Sequence, residues 1–551
     1  MAKKKAAKKK AVTKKKATKK TARKKAASGR GPDLSRPRRF ELESASSAKF
    51  WTISLEENLQ TVQYGRLGTL GQTKRKDFDN WDLAEASYHK LIDEKLKKGY
   101  EEQIPATAAE IRREKKLHDP FLKEILADPD DPGPYAVYAD WLTERGDPRG
   151  EFIHIQLQLE DENLRTADRK ELQKREKQLL SRYQEKWLGD YSPMLMKNAI
   201  VRDYERYTRG LSPNFTYRFE RGFLASLHVI RLFVPVSRMI RDAAETRFLR
   251  ELIIESVEGE PDPTGDEDEY ELSRFEPGDD VPTWEKDRIS EISAHPLIGT
   301  KEFTSLHTFQ VGGVGEDDIR ERFQRHNHSA DCHCYCNPAL DIIKKMPRLR
   351  RLHLYCKEFD IHGLFKSKKL KHLEALEIYH LGSRGADRRE RKQYEFPLEL
   401  LAKNKTFSNL RELAFHPHTR EYHRTEDYPS FLPLEQVRTL LRSQNLPKLE
   451  RLQLRLSNMG DEGCQEIVDS GILKQLKKLD LRHGRITDEG VRILTECPDL
   501  KNLEFLDLVR NGIGKDGERL LRRSKVKFDA SNQLNRRQFD EQDYLLDGDG
   551  E

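Results

Sequence analysis

Apolar residues in the second half of the chain recur in a fixed phase. Leu449, Leu452 and Leu454 are followed by Leu476, Leu479 and Leu481, then by Leu503, Leu506 and Leu508, in steps of 27 residues. The agreement extends through Met459, Ile486 and Ile513 and through Gly463, Gly490 and Gly517. Looser copies begin at Leu224, Leu249, Leu306, Leu349, Leu373 and Leu410, with steps lengthened by insertions. Such self-similarity predicts a repeat array over 222–528. The N-terminal part is patterned differently. Segments 40–43, 49–55, 59–67 and 74–79 alternate and favour β-branched or aromatic residues, which predicts short antiparallel strands. Gly65, Gly68 and Gly71 predict backbone bends. Asp82 with Glu85 predicts the capping pair of a helix whose apolar face holds Ala84, Tyr88, Leu91, Ile92 and Leu96 and which Gly99 ends. Between these regions two helices are expected on either side of the Pro/Asp break at 128–134, followed by a long charged helix over 151–188.

The 27-residue phase is similar to leucine-rich repeats, in which each unit supplies one strand and one helix and the residues between the leucines point to a concave binding face. The resemblance places Arg351, His353, Tyr355, Tyr379, His416, Arg455 and Arg482 on that face. Arg and Tyr are enriched at binding hot spots, so a protein-binding face is the preferred reading and a merely solvated face the alternative.

The stretch Thr61-Val-Gln-Tyr64-Gly65-Arg66-Leu-Gly-Thr-Leu-Gly-Gln-Thr-Lys74-Arg75-Lys76-Asp-Phe78, with Lys49-Phe50-Trp51 before it and a basic helix end at 94–100 after it, resembles the WGR domain, a nucleic-acid-facing module of poly(ADP-ribose) polymerases. The resemblance gives Tyr64 and Arg66 the contact role of the Trp-Gly-Arg motif. Tyr64 departs from the family Trp and offers less stacking area than indole. Lys74, Arg75 and Lys76 are candidate phosphate contacts. The competing reading makes Tyr64 a core residue and the lysines a solvated edge strand. Residues 121–153 look like a short repeat-companion domain of some large bacterial proteins, a family with no chemistry to transfer. Asp140, Trp141, Glu144 and Asp147 there are explained by capping, packing and turn formation.

At 551 residues, with 36% apolar and 35% charged content, several domains are expected. The fold class is multidomain α/β. It comprises a disordered Lys-rich tail at 1–31, a small α+β WGR-like domain at 38–104 and a helical linker domain at 107–190. A leucine-rich-repeat solenoid follows at 222–528, and a C-terminal tail at 529–551. The net charge of +7 is uneven. Residues 1–30 carry 13 Lys and 2 Arg without an acid, so the remainder is mildly acidic. Such a tail suits salt-dependent contact with a phosphate backbone, with a solubilising role as the alternative. Two insertions look like exposed loops, an acidic one at 255–280 and a basic one at 384–392. With no run of about 18 apolar residues and no secretory stretch, the expectation is a cytoplasmic, nucleoid-associated protein with reduced cysteines.

His326, His328, Cys332, Cys334 and Cys336 crowd into eleven residues. They supply enough N and S donors for structural zinc, although Cys-x-Cys-x-Cys lacks the usual ligand gap, and a reduced loop is the competing reading. No nucleophile elbow, phosphate loop or kinase signature is present, so no enzyme activity and no catalytic residue are expected. The expected function is a non-catalytic scaffold, with tail and WGR-like domain on DNA and the repeats on a protein partner. The alternative is an adaptor, or a regulator of an enzyme supplied in trans, without DNA contact.

Overall fold

The computed structural model describes residues 34–44, 47–67, 71–103, 108–196, 200–202, 211–213, 215–256, 293–312, 336, 338–355, 359–381, 396–418, 432–455, 457 and 459–534. The expected tail at 1–31, nearly all of the acidic insertion and the basic insertion lie outside them. The chain divides into two compact units, Met1–Asp119 with Lys174–Gln184 and Pro120–Gln173 with Glu185–Glu551.

In the first unit five antiparallel strands, β1 (Arg38–Ser44), β2 (Ser47–Glu56), β3 (Leu59–Arg66), β4 (Gln72–Asp77) and β5 (Glu101–Gln103), pair in the order β4-β3-β2-β1-β5. Period-two alternation sends Trp51, Ile53 and Leu55 to one face, where helix α1 (Trp81–Lys97) covers them with Ala84, Tyr88 and Ile92. Register places Phe40 opposite Trp51 and Trp51 opposite Tyr64, giving an aromatic row across three strands. The α1 cap differs from the expectation. Asn80, not Asp82, accepts the Leu83 amide at 3.0 Å, and Glu85 is drawn to Trp81 Nε1 at 3.1 Å. Leu96 lies outside the stripe at 46% exposure. Gly65 continues β3 opposite Phe50 without a bend. The bend comes at Gly71, with φ +65°, where a Cβ would stand 2.5 Å from the Tyr64 carbonyl oxygen; Gly68 is outside the described residues. The sequence pattern missed β5, which Arg38 ties to β1 through a two-pronged pair with Glu102 at 2.5 and 2.6 Å.

Helix α2 (Ala108–Ala127) precedes α3 (Pro132–Glu144) and α4 (Pro148–Leu159). Asp131 and Asp147 cap the last two by accepting from the amides of Gly133 and Arg149, each followed by a proline that needs no amide partner. The long helix expected over 151–188 is broken. It ends with α4 at Leu159 and restarts as α5 (Thr166–Trp187), and Arg169 bridges the gap by donating to the Leu159 and Asp161 carbonyls at 2.8 and 2.6 Å.

A small antiparallel pair, β6 (Ile200–Arg202) and β7 (Leu211–Pro213), is followed by one eleven-stranded sheet in chain order. It runs β8 (Phe215–Glu220), β9 (Phe223–Arg231), β10 (Glu251–Ser256), β11 (Thr308–Val311), β12 (Arg351–Tyr355), β13 (Ala375–Leu381), β14 (Glu412–His418), β15 (Arg451–Leu454), β16 (Lys478–Asp480), β17 (Phe505–Asp507) and β18 (Phe528–Asp529). All pairings from β9 onward are parallel. The 27-residue step is the strand register itself: Leu452 pairs with Leu479 and Leu479 with Leu506. Where the chain leaves the strands, wholly buried Asn511 accepts from the amides of Gly484 and Ile486 and donates to the carbonyls of Leu481 and Leu508.

The helices at 120–159 close the open start of this sheet. Ile125, Tyr135, Tyr138, Leu142 and Ile153 share a core with Phe223 and Phe248, and Phe223 stacks on Phe248 at 4.2 Å between ring centres. Arg149 is half-buried there. Its Nε donates to the Gly222 carbonyl at 2.9 Å and its guanidinium lies 4.5 Å over the Phe223 ring. Beside it, Asp130 accepts from Arg250 at 2.5 Å and Arg350 at 2.6 Å and lies 3.6 Å from His307, so one carboxylate gathers side chains from three successive repeats.

Candidate nucleic-acid interface and repeat surface

Strand β4 is one edge of the small sheet, and all six of its residues are exposed. Cross-strand register puts Lys74 opposite Val62, Lys76 opposite Gln60 and Arg75 opposite Thr61. Lys74 and Lys76 therefore lie on the face of Tyr64 and Arg66, whereas Arg75 points to the other face. Tyr64 is half-buried against the aromatic core. Its hydroxyl donates to Gln72 Oε1 at 3.3 Å, and the Lys74 ammonium lies 5.7 Å from its ring centre. Arg66 is exposed and stands opposite Lys49.

Three further cations share this end of the face. The Lys95 ammonium sits 5.3 Å over Trp51 and 4.7 Å over Tyr100. Burial first, then the charges of Lys98 and Lys49, push its pKa below the usual lysine value. Lys49, Lys95 and Lys98 were missed as site residues. The signal available was their position: Lys49 two residues before Trp51, and Lys95 in the last turn of a helix with Lys98 at its C-cap three residues on.

The matching family models decide what this module is. One for the WGR domain covers residues 38–107, and one for leucine-rich repeats covers residues 445–468 and 474–492. Residues 38–107 form a WGR domain. In that region an uncharacterized Escherichia coli K12 protein, YfeS, is 40% identical over 65 residues, 12% of this chain and 27% of that protein. Protein YehF of the same strain is 38% identical over 66 residues, 12% of this chain and 24% of that protein. The chain thus spans about a quarter of the length of these curated relatives. A crystal structure of a Bacteroides fragilis protein aligns over 91% of this chain and 97% of that one at 17% identity, with a TM-score of 0.35.

Beyond the WGR domain, the concave column of the leucine-rich repeats is laterally ion-paired. Arg351 lies 3.6 Å from Glu412 of β14 and His353 3.9 Å from Glu377 of β13, and His353 meets Tyr355 edge-on at 6.2 Å. Arg455, only 8% exposed, is 3.4 Å from Asp480, and Arg482 donates to Asp507 at 2.7 Å. Burial and the neighbouring Asp480 raise the Asp507 pKa, with Arg482 opposing them. Next to this cluster burial, then Arg510, Arg455 and Arg482, drive the His483 pKa down to about 3. Tyr355 is buried. Tyr379 and His416 follow it in register on β13 and β14, with side chains outside the described residues. Arg455 and Tyr355 thus serve the array's own packing. Sequence reasoning missed the acids between the arginines because it considered each strand alone, and pairing across a parallel ladder appears only once strands are stacked.

Of the Cys/His cluster, His326, His328, Cys332 and Cys334 lie outside the described residues. Cys336 is a buried thiol whose carbonyl accepts the Ala339 amide at 2.9 Å. Among the described residues no group of three or more His, Cys, Asp or Glu could hold a metal ion, and no helix is long and apolar enough to cross a membrane.

Proposed function

We propose that this chain is a non-catalytic, cofactor-free, nucleic-acid-associated scaffold, with the WGR domain and the Lys-rich tail on DNA and the leucine-rich repeats recruiting a protein. The observation that carries the reading is the cationic frame around the Trp51–Tyr64 row: Lys49, Arg66, Lys74, Lys95 and Lys98 share one face beside an edge strand exposed along its length. The cations suit a phosphate backbone and the half-buried Tyr64 ring among them suits an exposed base or sugar at a strand end, whereas Trp51 lies in the core beneath α1 and supports Lys95. A DNA-bound protein of this kind acts at the nucleoid.

The test is a titration of nicked and blunt duplexes with the full chain at graded salt. Each lost phosphate contact lowers the slope of log affinity against log salt by about 0.9. Arg66→Ala with Lys74→Ala should therefore reduce the slope by about 2. An unchanged slope and affinity would remove the WGR domain from the DNA contact.

A second reading, an adaptor or regulator in trans without DNA contact, is favoured by Tyr64. Its hydroxyl is engaged by Gln72 and Lys74 lies over its ring, so the position of the family Trp is partly covered from within. Under this reading Tyr64→Trp would leave duplex affinity unchanged, and an enzyme would co-purify through the repeats.

A further inference from the structure

The edge of the repeat sheet at which each helix returns to the next strand carries a charge pattern that the concave face does not. Segments 366–374, 403–411, 442–450, 474–478, 498–504 and 522–527 contain 17 Lys or Arg against four acids. These segments are neighbours in space, because the amides that begin each strand bond to the residue before the preceding one: Arg411 N to Glu374 O, Glu450 N to Arg411 O, Lys477 N to Glu450 O and Glu504 N to Lys477 O, all at 2.7 to 2.8 Å. Side chains continue the link. Asn409 Nδ2 donates to the Lys371 carbonyl at 2.8 Å, and Asn409 Oδ1 accepts from Lys448 Nζ at 2.7 Å. Lys371, Lys405, Lys474, Lys477 and Lys501 are exposed along this edge. The opposite edge has no such excess: the repeat helices Gly460–Ser470, Asp488–Glu496 and Lys515–Ser524 open with Asp461 and Glu462, Asp488 and Glu489, and Asp516 and Glu518, which offset Arg455, Arg482, Arg485, Arg510 and Lys515 on the same edge. The basic excess thus belongs to one edge of the repeat sheet.

We infer that this basic edge is a second DNA-binding surface, a rail of lysines that tracks the phosphate backbone of a duplex, separate from the contact made by the WGR domain. Strands about 4.8 Å apart place one cationic loop after another in a continuous row, which suits a polyanion of regular charge spacing. The row has no apolar anchor. Among the described residues none of the exposed large hydrophobics, Leu59, Trp81, Leu83, Leu96, Leu117 and Val137, lies on this edge, whereas a protein partner docked along it would ordinarily need such anchors. The local potential also registers on His372, whose pKa is lowered by burial and then by Lys371, Arg350 and Arg348. The competing role for these lysines is to complement the negative ends of the repeat helices, which would affect stability and not binding.

This inference rests on the nucleic-acid reading above but is tested separately. In the full chain, Lys371→Gln, Lys405→Gln, Lys477→Gln and Lys501→Gln are combined. A charge-matched control changes Lys123, Lys170, Lys174 and Lys177 to Gln. The edge variant should lower the salt slope for duplex DNA by about 3 to 4, so that the affinity ratio of parent to variant shrinks about tenfold when salt doubles. Lys→Arg at the same four positions should keep the parent slope, and the control should change it by less than about 1. The inference is overturned if the edge and control variants share one slope and differ only in unfolding temperature. It is overturned equally if a polyglutamate peptide displaces the protein as well as competitor duplex does, which would make an acidic protein the partner; duplex RNA serves as the competing nucleic acid. Arg66→Ala reports on the WGR domain independently, so either contact can fail while the other stands.

Discussion

Asp130→Ala should loosen the helices that close the repeat array while leaving the rest of the sheet intact. The carboxylate binds Arg250 at 2.5 Å and Arg350 at 2.6 Å, with side-chain exposures of 32% for Asp130, 23% for Arg250 and 44% for Arg350. A charge-assisted hydrogen bond contributes about 1.5 to 3 kcal/mol when sheltered, and an exposed ion pair less than about 1. The Arg250 contact accordingly counts for about 1.5 kcal/mol and the Arg350 contact for about 0.5. Arg250 also donates to the Pro129 carbonyl at 2.8 Å, so it keeps one partner and the loss should stay near 2 kcal/mol. Local opening of α3 and α4 then becomes about 30-fold more frequent. Amide hydrogen exchange, resolved by peptide, reads this directly: peptides from 132–159 should exchange faster and those from 449–508 should not. The reasoning fails if exchange in α3 and α4 is unchanged. Burial raises the Asp130 pKa, but Arg250, His307 and Arg350 outweigh it and hold it low. The contact is therefore present above the ordinary Asp value, about 3.9, and is lost as pH falls through its lower folded value.

Three further outcomes are expected. Gly71→Ala forces a side chain to φ +65° against the Tyr64 carbonyl and should cost roughly 1 to 3 kcal/mol in the WGR domain, seen as faster exchange in β3 and β4; unaltered exchange would contradict the steric argument. Asn511→Ala strands two buried amides and two carbonyls of the last repeats and should cost about 3 kcal/mol or more in denaturant unfolding, and a loss under about 1 would refute the bridging role. His307 and His483 are held neutral, their pKa values lowered to about 4 and about 3 mainly by burial, then by neighbouring arginines. The unfolded chain takes up protons near pH 6.5 and the folded chain does not, so this stability is complete above about 6.5 and falls as pH drops toward 4. His483→Gln should flatten that decline, and a stability that does not change over the same window would show that these histidines are not held neutral.

Much of the fold was legible because burial imposes periodicity. The leucine phase at 449–508 became the strand register, and Leu224 and Leu352 sit in strands of the same sheet even though insertions blur the step. What remained hidden depends on contacts distant in sequence. Strand β5 has three residues and is fixed by Arg38, 64 positions earlier; the break in the 151–188 helix is set by Arg169 reaching back to two carbonyls. The candidate site was legible as a segment and not as a surface. Alternation splits Arg75 from Lys74 and Lys76, and the fold brings Lys95 to Trp51, with the charge of Lys98 near it, from a helix that no strand motif includes.

Hydrogen exchange of the full chain with and without a nicked duplex tests the central claim most directly. The account predicts protection at 47–77 and at 92–100, centred on β4 and the end of α1, and its loss in Arg66→Ala with Lys74→Ala. Tight duplex binding with no protection in those segments would contradict the assignment of the WGR domain as a DNA-contacting module.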